Sequence, residues 1–282
     1  MLTIAASANV DRLRERLEHG LRELERQGLR VVQKEQTRGP YTFVSVGVQG
    51  VRAEACWKWQ AILRRQVAAI LCEVIVSDFR EFFLQRIVAS RYPQLGLQER
   101  QTVVRYAQHS LADAEVWEAF RRWILLRLLD YMQDNRQLIV EGFITFRLKE
   151  YVEHLEEAVE RAIDEILLEK EYQEFVRLLQ CFVAAQEPRV LEVHLICRDT
   201  GLFLEDADRR SLSLQVPASL EGGVRPEDLV VSGLVSLAPS RVIIHGTAAS
   251  DDDRAVVDAV MKIFAERAST CPGCARCSPF PT

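Results

Sequence analysis

The sequence lacks the short motifs that mark the commonest enzyme sites. It contains no G-x4-G-K-[ST] phosphate loop, no G-x-G-x-x-G after a predicted strand, no G-x-S-x-G nucleophile elbow and no H-E-x-x-H zinc motif. Its five histidines are scattered, and none lies close in sequence to a Cys or Ser with a supporting acid. The sequence therefore favours a protein that is not an enzyme, and it leaves any catalytic residues unknown.

Long apolar runs are also missing. The longest, such as Val67–Cys72, fall far short of the roughly 18 to 20 residues that a membrane-spanning helix needs. The first twenty residues lack the basic region and long apolar segment of a secretory signal. Of the seven cysteines, four stand singly in apolar segments, as small buried residues of a reducing compartment do: Cys56, Cys72, Cys181 and Cys197. We therefore expect a cytoplasmic protein without a membrane span.

The charge balance gives little reason to expect nucleic acid as a partner. The formal net charge is -5, although residues 1–65 carry 12 Lys and Arg against 7 Asp and Glu. Within that segment the arginines that would form a basic face, such as Arg12, Arg16, Arg26 and Arg30, alternate with glutamates, so their field is diluted. Residues 150–174 are acidic, with 10 Asp and Glu against 2 Lys and Arg. Nucleic-acid binding is thus the weakest hypothesis for function.

What the sequence does contain is a helical middle between two shorter mixed regions. Residues 1–50 predict strand, helix, strand, strand, residues 54–187 predict helices throughout, and residues 189–268 predict a smaller α/β region before a Cys-rich tail, 269–282. The fold class predicted is α+β. Because each end region offers few strands, we expect the two to pack near each other, with one shared sheet as an option.

The predicted elements around the end of the helical region depend on two signals. Apolar residues at three- and four-residue steps predict one long helix from about Ile144 to Ala185, with a bend or break near 169–171, and Pro188 stops it. Short apolar runs separated by turn residues then predict three strands, Leu191–Cys197, Leu202–Glu205 and Ser211–Gln215.

One block of this region resembles a known family. The run EGFITFRLKEYVEHLEEAVERAIDEILLEKEYQEFVRLLQCFVAAQEP, Glu141 to Pro188, is similar to the corresponding part of the YtxC-like sporulation proteins of endospore-forming bacteria. The helical middle, the EVHLI strand after it and the Cys-rich end fit the same family, so that the resemblance covers the whole chain. The resemblance implies a role in sporulation, and it brings no defined activity, substrate or catalytic residue.

The stretch CPGCARC, residues 271–277, is the one part of the sequence whose residue types and spacing suggest a chemically active or metal-binding site. Cys271, Cys274 and Cys277 are spaced three apart, close enough for three thiolates to surround one soft metal ion. A closed zinc site needs a fourth ligand. The candidates are His245, Cys197, His194, a water molecule or a residue of a second chain.

Two other interpretations of this stretch stay open. An iron–sulfur cluster is possible because C-x2-C-x2-C begins the ferredoxin run, but the usual fourth Cys and the second motif are absent. The stretch could also be a solvated tail with free thiols. Two functions follow as hypotheses: a non-enzymatic interaction protein of sporulation with an unidentified protein partner, and a metal-binding regulatory or redox protein that uses the three thiols.

Overall fold

The computed structural model describes residues 1–26, 28–50, 56–198, 201–212, 226–248 and 250–277. The chain divides into two compact units, Met1–Leu167 and Leu168–Thr282, which are described separately below. Both units combine helices with one four-stranded sheet. Along the sequence, the described residues from β3 to β5 are mostly helical. The predicted α+β class with a helical middle is therefore confirmed.

The first unit contains a mixed sheet with strand order β2-β3-β1-β4. Strand β1 pairs antiparallel with β3 and parallel with β4, and β2 pairs antiparallel with β3. The strands are β1 (Leu2–Ala6), β2 (Arg30–Arg38), β3 (Tyr41–Gln49) and β4 (Gln137–Ile139). Helix α1, Val10–Arg26, buries four leucines at three- and four-residue spacing, as an amphipathic helix against an apolar core does: Leu13, Leu17, Leu21 and Leu24.

Six further helices or helix segments follow among the described residues of this unit. They are α2 (Cys56–Val74), α3 (Arg80–Arg91), α4 (Leu97–Ser110), α5 (Ala114–Asp134), α6 (Val140–Arg147) and the first part of α7 (Lys149–Ala185). A π-helical turn, Ile75–Phe79, connects α2 directly to α3. The long helix predicted from about Ile144 is interrupted at Leu148, where the backbone leaves the helical region, and α7 then continues without a break through residues 169–171.

A buried carboxylate fixes the loop after β1. Glu141, at the start of α6, is 8% exposed. Its Oε1 accepts hydrogen bonds from the backbone N–H of Ser7 at 2.6 Å, the Ser7 hydroxyl at 2.9 Å and the backbone N–H of Ala8 at 2.9 Å. Because β1 and β4 are parallel, their carboxyl ends meet at one edge of the sheet, and the Glu141 carboxylate ties the two chain segments together there.

The second unit has its own sheet, with strand order β6-β5-β7-β8. Strands β5, β7 and β8 are parallel, and β6 is antiparallel to β5. The elements are β5 (Val190–Arg198), β6 (Gly201–Glu205), α8 (Pro226–Leu237), β7 (Pro239–His245), α9 (Asp251–Phe264) and β8 (Ala268–Thr270), with the second part of α7. The Ser250 hydroxyl accepts from the backbone N–H of Asp253 at 3.0 Å and caps the start of α9.

One sequence expectation needs correction here, and another lies mostly outside the described residues. In the part of the chain that the structure describes, the end regions do not share a sheet: the first sheet recruits β4 from the helical region, and the second recruits β8 from the start of the Cys-rich tail. Of the third predicted strand, Ser211 forms only an isolated bridge with Glu205, and residues 213–215 lie outside the described residues.

The second part of α7 buries only one of its faces. Val176 and Val183 are buried in the core of the second unit. Five large apolar side chains on another face are 40–69% exposed; we call them the α7 stripe: Leu168, Tyr172, Phe175, Leu178 and Phe182. Exposure of this many apolar residues on one helix face is typical of a surface that another molecule covers.

Candidate metal centre

The parallel strands of the second unit bring the candidate ligands to one edge. His245 is the last residue of β7, and Cys271 directly follows β8, its neighbour in the sheet. The backbone N–H of Cys271 donates to the carbonyl oxygen of Ile244 at 2.8 Å, which extends the ladder by one residue. Because the carboxyl ends of parallel strands lie at the same edge, a histidine and a cysteine that are distant in sequence become neighbours.

Glycines allow the chain to turn on both sides of this edge. Gly246 follows His245 with φ +78°, and a Cβ there would lie 2.8 Å from the carbonyl oxygen of Cys197. Gly273 has φ +126°, in the region that favours glycine, and it lies between the first two thiols of CPGCARC. A tight turn then follows, in which the backbone N–H of Cys277 donates to the carbonyl of Cys274 at 2.9 Å.

Four ligand atoms converge at this edge. His245 Nδ1 lies 3.3 Å from Cys274 Sγ and 3.5 Å from Cys277 Sγ, and these two sulfurs lie 3.8 Å apart. Together with Cys271, all four atoms lie within 4.8 Å of one another. Tetrahedral zinc with bonds of about 2.3 Å to sulfur and about 2.0 Å to nitrogen would place its ligands about 3.8 Å (S to S) and about 3.5 Å (S to N) apart. The residues present therefore fit a single zinc ion.

A buried chain of hydrogen bonds stands behind His245. Its Nε2 lies 2.8 Å from His194 Nδ1, and His194 Nε2 lies 3.0 Å from Glu192 Oε1. Because a carboxylate only accepts, His194 carries its proton on Nε2 and has a bare Nδ1. His245 then donates from Nε2, and its own Nδ1 presents a lone pair to the three sulfurs. This is the arrangement that orients metal-binding histidines in known sites.

The electrostatics of the metal-free site favour the metal-binding forms of His245 and Cys274. They do not favour that of Cys271: the backbone N–H of Gly273 lowers the pKa of this thiol, but burial and the neighbouring thiols of Cys274 and Cys277 outweigh it and raise the pKa. Burial, with contributions from His194 and from Arg276, lowers the pKa of His245, which keeps its ring neutral. The backbone N–H of Arg276, which donates to Cys274 Sγ at 3.3 Å, is the main cause of the lowered pKa of that thiol. A neutral imidazole and a thiolate are the forms that bind metals.

Arg276 also holds the CPGCARC segment in place. Its guanidinium donates to the carbonyl oxygens of Asp206 at 3.1 Å and Ala207 at 2.7 Å, and it lies 3.6 Å from the carboxylate of Glu205. These contacts fix the segment against the end of β6. A segment with such anchors differs from the solvated tail that was one interpretation of the sequence.

Some of the metal ligands predicted from the sequence come together in the structure, and others do not. The three thiols Cys271, Cys274 and Cys277 come together, and of the candidate fourth ligands His245 joins them among the described residues. His194 lies behind His245 as its hydrogen-bond partner. Cys197 is buried in β5, where burial raises its pKa, and it is not one of the four. Glu192 had no signal in the sequence, since its role depends on the pairing of β5 with β7.

Comparison with known proteins identifies one family. The model of the YtxC-like family matches residues 65–269. The chain is also 23% identical over 227 residues to the uncharacterised protein YtxC of Bacillus subtilis (strain 168), a match that covers 74% of this chain and 78% of that protein. No solved structure matches. The family match includes His245 and His194 but ends before Cys271. Within the described residues, no helix is both long and apolar enough to cross a membrane.

Proposed function

The chain belongs to the YtxC-like family; for this member we propose a zinc-binding function, with one ion held by His245 and the three thiols of CPGCARC. The observation that carries the proposal is the convergence of the four ligand atoms within 4.8 Å. Three thiolates and one imidazole form a ligand set that structural zinc sites use. Four protein ligands leave no position for a substrate, which supports a structural or regulatory role without catalysis.

Zinc fits the spacing better than an iron–sulfur cluster does. The four ligand atoms are as close as the ligands of one ion, whereas a cluster of several irons is larger and holds its ligands further apart. The hydrogen-bond chain through His194 also suits a metal-bound imidazole, because it leaves Nδ1 of His245 unprotonated. The iron–sulfur alternative remains a distinguishable outcome of the test below.

The test is elemental analysis of the full chain purified without oxygen. We expect about one zinc per chain in the wild type. Cys274→Ser should lose the metal, while Cys181→Ser should keep it, because Cys181 is also an exposed thiol but lies on α7, outside the four-ligand group. Several irons per chain, in place of zinc, would identify the site as an iron–sulfur cluster. The absence of bound metal in the wild type would refute the proposal.

We propose, as a second function, a cytoplasmic and non-enzymatic role in endospore formation through a protein partner. The α7 stripe supports the interaction part of this proposal, because five exposed large apolar side chains on one helix face are typical of a surface that another molecule covers. The sporulation part rests on the resemblance of the run Glu141 to Pro188 to the YtxC-like sporulation proteins of endospore-forming bacteria.

Complementation tests the second function. A Bacillus subtilis strain lacking its YtxC would be compared with the wild type for heat-resistant spores, and then supplied with this chain. We expect fewer spores in the deletion strain and recovery with this chain, but not with a variant carrying Leu178→Glu in the stripe. Spore counts that are unchanged by the deletion would contradict the role in sporulation.

A further inference from the structure

The sheet of the first unit has two faces of different character. Side chains alternate between the faces along each strand, and the pairing register assigns the residues of all four strands to one face or the other. On the inner face, Ile4, Val44 and Val46 are buried in the core. We call the opposite face the outer sheet face. Its larger side chains are exposed or half-buried, and they include Arg30, Lys34, Arg38, Tyr41, Phe43 and Ser45.

The pleat of β2 separates the charges of this sheet. The four strands contain three basic residues and one acidic residue, all in β2. The acidic residue, Glu35, lies on the inner face, where the guanidinium of Arg14 from α1 donates to its two carboxylate oxygens at 2.7 and 2.9 Å. Arg30, Lys34 and Arg38 lie on the outer sheet face, and in the described part of the chain none of them pairs with a carboxylate. The fold thus sorts charges that alternate along the sequence, and the outer sheet face is a basic surface that attracts anions.

Two aromatic rings lie on the same basic face. Tyr41 and Phe43 are alternate residues of β3, so that they are about 6.5 to 7 Å apart along the strand. Both are half-buried, and among the described residues neither belongs to the apolar core of the unit. Opposite Phe43 on β1 lies the small residue Ala5, with the exposed Ile139 beyond it on β4, so that this row offers an apolar surface to a planar group. Proteins that bind single-stranded nucleic acids stack successive bases on rings of this kind, beside basic groups that contact the phosphates.

Uncharged hydrogen-bonding groups complete the outer sheet face. Thr3 Oγ1 lies 3.0 Å from Ser45 Oγ, and the amide oxygen of Gln36 accepts from the Arg38 guanidinium at 2.9 Å. Gln137, next to Thr3 in the sheet, is exposed. Hydroxyl and amide groups both donate and accept, as the base edges and the 2′-hydroxyls of RNA require. An acidic polypeptide would satisfy the basic residues, but its carboxylates do not stack on rings.

We propose that the outer sheet face of the first unit binds single-stranded RNA. The bases stack on Tyr41 and Phe43, and the phosphates contact the basic residues of β2, which are Arg30, Lys34 and Arg38. This inference goes beyond the two functions proposed above, and it depends neither on the metal centre nor on the α7 stripe.

The test measures the fluorescence anisotropy of a labelled single-stranded RNA of about ten nucleotides as the full chain is added. Three neutralised phosphates predict that affinity falls about 20-fold between about 50 and 200 mM salt. Phe43→Leu keeps an apolar side chain but removes the ring, and it should weaken binding about 5- to 150-fold, whereas Phe43→Tyr should keep the affinity. Lys34→Glu should also weaken binding. Its matched control is Arg26→Glu, which changes the net charge equally at the exposed end of α1, the helix on the inner face, and should leave the affinity unchanged.

Several outcomes would overturn the proposal. Circular dichroism would first establish that each variant is folded, and Lys34→Glu, at an exposed position, keeps the test decisive if Phe43→Leu unfolds. No binding by the wild type at about 50 mM salt, or equal weakening by Lys34→Glu and Arg26→Glu, would refute the outer sheet face as the site. Equal binding of an RNA duplex would refute stacking, because its bases are paired, and equal binding of the same sequence as DNA would refute the choice of RNA. Displacement of the RNA by polyglutamate as readily as by unlabelled RNA would assign the face to an acidic protein instead.

Discussion

Replacing His194 by phenylalanine is expected to weaken zinc binding although His194 is not a ligand. The substitution keeps a ring of similar shape in a position that is 6% exposed, and it removes the nitrogen that lies 2.8 Å from His245 Nε2. The N–H of His245, which is itself only 3% exposed, then has no acceptor from His194. Loss of an outer partner of this kind typically costs 10- to 100-fold in metal affinity, or about 1.4 to 2.7 kcal/mol.

Competition with a coloured zinc chelator under anaerobic conditions would measure this effect. His154→Phe is the matched control, because His154 is also partly buried but packs against Phe120 in the first unit. Glu192→Gln should weaken binding less than His194→Phe does, since the amide oxygen can still accept from His194. An affinity of His194→Phe within about twofold of the wild type would refute the orienting role of His194, whereas a wild type that binds no zinc would instead refute the site.

Three further predictions concern the metal-free protein. Because the pKa of His245 is lowered in the folded chain, the histidine takes up a proton in the unfolded chain at a higher pH than in the folded one. The free energy of unfolding should therefore decrease as the pH falls below the ordinary value of 6.5. Urea titrations at several pH values should show a smaller decrease for His245→Phe. Burial raises the pKa of Cys72 to about 11, so that mass spectrometry after brief alkylation should find Cys72 unmodified while exposed Cys181 reacts. Glu141→Ala should lower the free energy of unfolding by about 2 to 4 kcal/mol in urea titrations, because three donors at Ser7 and Ala8 lose their acceptor.

The sequence predicts most elements of both units because their signals are local. The leucine spacing of α1, Pro226 at the start of α8 and Ser250 at the start of α9 each specify an element within a few residues. Strand β4 was not predicted, since three residues between two helices carry no periodicity, and their extended form depends on pairing with β1. The break at Leu148 was missed because apolar residues continue through it at helical spacing.

The candidate centre shows the same division between local and distant information. The spacing of the three thiols is local, and it was sufficient to propose a metal site. The fourth ligand could not be chosen from the sequence, because no local signal places either His245 or His194 beside the thiols. The choice depends on the order of the parallel strands: β7 lies next to β8 and ends at the thiols, whereas β5 is one strand further away.

An ion bound at this edge would close a loop in the chain. Its ligands come from the end of β7 and from the segment after β8, and α9 lies between them. Closing such a loop removes conformational freedom from the unfolded chain, as a disulfide of the same span does. The hydrogen-bonded amides of α9 could then exchange with solvent only through openings that stretch or release the metal bonds. Metal loading would thus set how often this helix unfolds on its own.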